Sequence, residues 1–148
     1  MTEDEKWMQL AILEANIAKD KGEVPVGSIL VQNNQIISKA HNCPISKNDP
    51  TAHAEIVALR QAAQAQSNYR LPRAVLYVTI EPCLMCVGAM VHARVARVVF
   101  GAREPKAGAL ISHPKVDDHS INHRFEIVEG VLGDVCGQRM SQFFSKRR

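Results

Sequence analysis

No stretch of this sequence is apolar enough, for long enough, to cross a bilayer. No secretory leader is expected at the start of this sequence either. The opening Met1-Thr2-Glu3-Asp4-Glu5-Lys6 is acidic and polar, without a basic start or an apolar run. The expectation is a cytoplasmic protein with no membrane partner. Internal repeats, low-complexity tracts and interdomain linkers are absent, which argues for one domain over residues 1–148. Neither sign of charge dominates: 18 Lys and Arg stand against 15 Asp and Glu, a net charge of +3. That permits a polyanionic partner without requiring one. Cysteine is scarce, with four in the chain. In a reduced compartment they are thiols, so Cys83-x-x-Cys86 reads as metal-binding or redox. Cys43 and Cys136 read as small apolar residues.

What is present suffices for a core: 46% of residues are hydrophobic and 22% charged. Met8, Ala11, Ile12, Ala15 and Ala18 repeat at helical spacing, predicting a helix over 4–21 that stops at Gly22. Strands are expected over 26–31 and 36–40, joined by a tight turn at Asn33-Asn34. A polar connection spans 41–51. A helix follows over 52–66, its buried face marked by Ile56, Leu59 and Ala63. Apolar strands over 74–80 and 95–100 flank a helix over 84–93. Residues 101–123 read as irregular, 125–129 as a last strand and 133–144 as a closing helix. Near-continuous apolar strands alternating with helices point to a parallel or mixed sheet covered on both faces.

Two clusters carry the chemistry: His53-Ala54-Glu55 and Pro82-Cys83-Leu84-Met85-Cys86. Each falls where a connection enters a helix. Helix N-termini offer partial positive charge and unpaired N–H groups, which favour thiolate, the form that binds zinc. One imidazole and two thiolates can hold zinc and leave a fourth position for water. Glu55 stands two residues beyond His53, placed to move that water's protons without binding the metal. A redox Cys-x-x-Cys gives no reason for His-x-Glu. A structural zinc needs a fourth protein ligand. Cys43, Cys136, His41, His92, His113, His119 and His123 are the candidates, and spacing alone excludes none. Otherwise His113, His119 and His123 read as solvated loop histidines, and Lys146-Arg147-Arg148 as a solvated helix end or a phosphate contact.

His-x-Glu followed by Pro-Cys-x-x-Cys resembles the zinc nucleobase deaminases. The likeness extends to Glu23-Val24-Pro25-Val26-Gly27, to Asp49-Pro50-Thr51-Ala52 before His53, and to Glu81 before Pro82. It also takes in Arg97-Val98-Val99-Phe100-Gly101-Ala102-Arg103, Asn122-His123 and Phe143-Phe144. In these the chain resembles the bacterial tRNA-specific adenosine deaminases over nearly its whole length. The resemblance implies a three-layer α/β/α sandwich with a five-stranded mixed sheet, the cytidine deaminase-like fold. It implies a cytoplasmic homodimer with one zinc per subunit. Such an enzyme turns the wobble adenosine of a tRNA anticodon stem-loop into inosine, by a zinc-activated water. By matching positions, His53, Cys83 and Cys86 hold zinc and Glu55 shuttles protons. Asn42 bonds the flipped nucleoside, and the Ala54 backbone N–H contacts the base. Two other readings stand beside this one: a zinc deaminase of free cytidine, deoxycytidylate or guanine, and a non-catalytic zinc-stabilised RNA-binding domain.

Overall fold

The structure is a computed structural model that describes residues 1–114 and 122–147. Its elements run α1 (Glu3–Asp20), β1 (Gly27–Gln32), β2 (Gln35–His41), α2 (Pro44–Lys47), α3 (Ala54–Gln66), β3 (Val75–Ile80), α4 (Leu84–Ala93), β4 (Arg97–Ala102), β5 (Glu126–Val128) and α5 (Gly133–Ser145). The strands form one five-stranded sheet in the order β2-β1-β3-β4-β5. β1 runs antiparallel to β2 and β3, while β3, β4 and β5 are parallel, so the sheet is mixed as expected.

Period-2 alternation divides the core into two layers. Leu30, Leu76 and Val98 face one side, where they meet Ala58 and Ala62 of α3 and Val87 and Met90 of α4. Ile29, Tyr77 and Val99 face the other, against Met8, Ala11 and Ile12 of α1 and Cys136 of α5. Each sheet face is thus covered by helices, which makes three layers.

Local chemistry sets the boundaries. Thr2 and Glu5 form a reciprocal capping box at the start of α1. Gly22, at φ +78, takes the left-handed conformation that ends that helix. Asn33 and Asn34 both have positive φ, the two-residue turn whose twist suits a hairpin. Gly27 lies on the backbone of α1, where any Cβ would collide with the carbonyl of Ala11.

The single turn α2 lies inside what the sequence presents as a polar connection. It has Pro44 at its first position, a left-handed Asn48 at its end, and its N-terminal amides on a distant carboxylate, Glu23. α3 starts two residues later than periodicity suggests. Thr51 folds back onto the Asp49 side chain through its N–H (2.9 Å) and its hydroxyl (2.8 Å), and His53 stays extended. Val57, Ala58, Leu59 and Ala62 of α3 join the core, and Ile56, Leu59 and Ala63 also line a groove towards α4, with Ile56 and Leu59 buried as expected. Among the basic residues of the C-terminal end, Arg147 is engaged. It donates to the carbonyl of Gly22 (2.8 Å) and sits 4.3 Å over the Phe143 ring, while Arg148 lies outside the described residues.

Candidate active site and metal centre

β3 delivers the site. Its last residue, Ile80, leads through Glu81 and Pro82 to Cys83, the N-cap of α4. Cys86 stands one turn on, at the third position of that helix. His53 is the N-cap of α3, with φ −69° and ψ 152°, and its extended backbone carries the ring towards the cysteines. Two neighbouring helix N-termini therefore converge on one point.

The donor atoms form a near-regular triangle. His53 Nδ1 lies 3.6 Å from the sulfur of Cys83 and 3.6 Å from that of Cys86, and the two sulfurs are 3.7 Å apart. Tetrahedral zinc with ordinary bond lengths requires about 3.6 Å between nitrogen and sulfur and about 3.8 Å between sulfurs. The residues fit zinc on that measure. No fourth His, Cys, Asp or Glu joins this group among the described residues. Cys43 and Cys136 are buried elsewhere, in the two separate core layers. His113 and His123 each bond a backbone carbonyl, of Pro105 (2.5 Å) and Val95 (2.7 Å). His119 lies outside the described residues.

Protonation in the triangle of donors is uneven. The hydrogen bond between the Cys83 and Cys86 sulfurs and the one with His53 bring the Cys83 thiol down to about 3 despite burial. The same contact with Cys83, together with burial, pushes Cys86 up. Its hydrogen bond to Cys83 raises His53. A metal entering the triangle displaces the protons that remain.

Glu55 follows in the first turn of α3 and is buried. Burial raises its carboxyl above the usual range, although its own backbone N–H, His53 and Cys86 favour the anion. A carboxyl so placed can exchange protons nearer neutrality. Asn42 is buried, and its N–H donates to Val26 (3.0 Å). Asn42 joins His53, Glu55, Cys83, Glu104 and Met140 around a cavity of about 200 Å³. Ala54 is buried behind that wall. Its carbonyl accepts from Ser28 (2.8 Å), and its N–H belongs to the open first turn of α3.

Two further residues shape the cavity, and residue pattern alone did not single them out. Glu23 accepts from the N–H groups of Ile45 (3.2 Å) and Ser46 (2.7 Å) and from the Ser46 hydroxyl (2.6 Å). It thereby fixes the segment that leaves Asn42. Glu81 does the same for the segment after Glu104. Burial opposes its ionisation, yet donors from Ser112, Ile111 and Glu104 outweigh it and bring its carboxyl down to about 2. The sequence signal was an acidic residue bordering an apolar segment, Glu23 just before Val24-Pro25-Val26 and Glu81 just after β3. A wider recess of about 1030 Å³ adjoins the cavity, sharing Ile80, Glu104 and Met140 with it. Arg103, Lys106, Phe144 and Arg147 line its other walls.

A family model described as MafB19-like deaminase matches residues 2–148. A tRNA-specific adenosine deaminase of Haemophilus influenzae is 49% identical over 147 residues, covering 98% of this chain and 85% of that protein. One from Bacillus subtilis is 46% identical over 149 residues, covering 100% of this chain and 92% of that protein. A solved structure from biochemical and structural studies of A-to-I editing by tRNA:A34 deaminases at the wobble position superposes with TM-score 0.87. It is 38% identical and covers 90% of this chain and 98% of its own.

Proposed function

The chain belongs to the MafB19-like deaminases and, within them, to the tRNA-specific adenosine deaminases, and from that premise we propose that it hydrolyses the wobble adenosine of a tRNA anticodon loop to inosine and ammonia. The observation that carries this reading is the His53–Cys83–Cys86 triangle with the buried Glu55 carboxyl against it. A purely structural metal needs no proton carrier, so Glu55 favours catalysis over a non-catalytic RNA-binding domain.

His53, Cys83 and Cys86 would hold one zinc per subunit, which supplies a Lewis acid that brings the pKa of water to about 7. Glu55 takes a proton from the attacking water and gives it to the adenine ring nitrogen beside C6. It then passes a second proton to the amine, and the bond from C6 to that amine breaks to release ammonia. Asn42 bonds the nucleoside from the cavity wall, and the Ala54 N–H contacts the base. The cavity, about 200 Å³, is smaller than the roughly 300–1,000 Å³ that encloses a drug-sized ligand. It suits one splayed base with its backbone left outside. An unpaired loop base reaches such a site at small unstacking cost. The adjoining recess, with Lys106, Arg103 and the half-exposed Phe144, suits the flanking nucleotides.

We read residues 1–148 as one domain acting as a homodimer in the cytoplasm, where its tRNA substrate resides. No helix among the described residues is long and apolar enough to cross a membrane.

The test incubates the zinc-loaded protein with an anticodon hairpin and, separately, with free adenosine, cytidine, deoxycytidylate and guanine. Sequencing the hairpin should show the wobble adenosine read as guanosine, with the free compounds turned over far more slowly. Faster turnover of a free compound assigns the chain to that substrate instead. Hairpin binding without any deamination by zinc-replete protein returns it to an RNA-binding role.

A further inference from the structure

Between the last residue of β3 and the ligand Cys83 stands one carboxylate, Glu81, only 3% exposed. One of its oxygens accepts from the N–H of Glu104 (3.1 Å) and the hydroxyl of Ser112 (2.5 Å). The other accepts from three successive amides, Leu110 (3.1 Å), Ile111 (2.7 Å) and Ser112 (2.9 Å). Five donors on one carboxylate leave it little capacity to carry protons, unlike Glu55. Nor is it among the atoms grouped to hold a metal. What it does is gather a remote segment. That segment is hooked to the ligand turn twice more, through a β-bridge between Gly108 and Cys83 and through the Ala109 N–H on the Pro82 carbonyl (2.9 Å). Gly108 itself is demanded by Glu81, because any Cβ there would collide with the carboxyl group. Two residues of the gathered segment, Glu104 and Ala107, then line the cavity beside Cys83.

We propose that Glu81 is a positioning residue, whose carboxylate fixes the 104–112 segment against the Cys83 turn and so sets the cavity wall that receives the substrate base. The inference rests on the deaminase reading of that cavity. A glutamine of the same shape cannot replace it. Its NH2 group would face N–H donors, and only one oxygen remains to accept.

The test compares the wild type with Glu81→Gln and Glu81→Asp, each loaded with cobalt or zinc. In Glu81→Gln the amides of Leu110, Ile111 and Ser112 should exchange hydrogen faster, by about tenfold or more, as expected for losing bonds to a charged acceptor. The cobalt absorption spectrum, which reports the ligand set, should stay unchanged. KM should rise about tenfold with kcat within about threefold, the pattern of lost binding rather than lost chemistry. Glu81→Asp, which keeps the charge and both acceptors, should recover part of the protection and of KM. The proposal is overturned by unaltered exchange at those amides, by an unaltered KM once they are released, or by a changed cobalt spectrum. KM is measured on whichever substrate the wild type turns over. A wild type that prefers a free base therefore refutes the tRNA assignment while the Glu81 result still stands or falls by itself.

Discussion

In the proposed mechanism a single side chain separates holding a metal from using it. Glu55 is buried and lines the cavity with His53 and Cys83, so its carboxyl is both near the triangle and raised. Replacing it with alanine removes the proposed proton carrier and leaves His53, Cys83 and Cys86 in place. Glu55→Ala should bind one zinc per chain by atomic absorption, while kcat for the hairpin drops by about 10²–10⁴. Retention of near-normal turnover would remove Glu55 from the mechanism. These residues were legible in the sequence because the chemistry dictates residue type and spacing together. A ligand triad with an adjacent acid is written in side chains. Glu23 and Glu81 were not legible in the same way. Their partners are main-chain amides some 20 to 30 positions downstream, and an amide has no letter in a sequence. Ordinary acidic surface residues look identical to them until the chain is folded.

At the scale of elements, periodicity located every strand and the long helices to within a few residues, since each depends on its own apolar pattern. It missed α2, a single turn stabilised from outside by Glu23 rather than by a stripe of its own. Of the stripe expected to be buried on α3, Ile56 and Leu59 are buried and Ala63 is partly so, while Val57, Ala58 and Ala62 widen the buried face beyond that stripe because small alanines also pack inward. Contacts between elements were beyond the reach of pattern altogether. Asp4 in α1 takes both guanidinium nitrogens of Arg97 in β4 (2.9 and 2.7 Å) and the hydroxyl of Tyr77 in β3 (2.8 Å). The Arg97 pair holds the Asp4 carboxyl below its ordinary 3.8, with Tyr77 adding to the effect against some desolvation. A lowered carboxyl stabilises the fold above its unfolded pKa, and that contribution is lost as pH falls through the folded one. Asp4→Asn should therefore cost about 2 kcal/mol at pH 7. The difference from wild type, followed by urea unfolding, should shrink as pH drops below 3.8. A gap that stays constant with pH would mean that the charge contributes nothing. Gly27 is the other joint between these layers. Gly27→Ala drives a methyl into the Ala11 carbonyl, with the Ala15 nitrogen and the Glu14 Cβ also crowded. It should lower stability by about 1–3 kcal/mol in the same measurement, as overpacked sites do.

Among the described residues, an apolar groove lies open on one flank of the molecule. The sheet is sheathed on both sides, yet the outer flank of α3 and α4 forms a groove of about 450 Å³ lined by Ile56, Leu59, Ala63, Met85 and Ala89. Leu84 and Tyr69, 55% and 73% exposed, stand in the same region of the chain. An interface between subunits covers apolar surface, and the proposed homodimer can be tested at this groove. The position has a chemical consequence. The groove is walled by Thr51, two residues before His53, and by Met85, immediately before Cys86. A partner pressed against it would brace both helix N-termini that carry the ligands, so that assembly and metal retention become linked. Ala63→Asp places a charge in the groove, nearly three turns of α3 beyond His53. Sedimentation should show the wild type as a dimer and the variant as a folded monomer, since burying that charge opposes association. Both should bind zinc, but the monomer should release it to a chelator faster, by about fivefold or more if bracing is worth the 1 kcal/mol or so of an ordinary coupling. A monomeric wild type would refute the assembly. Equal release rates from dimer and monomer would refute the link between that surface and the metal.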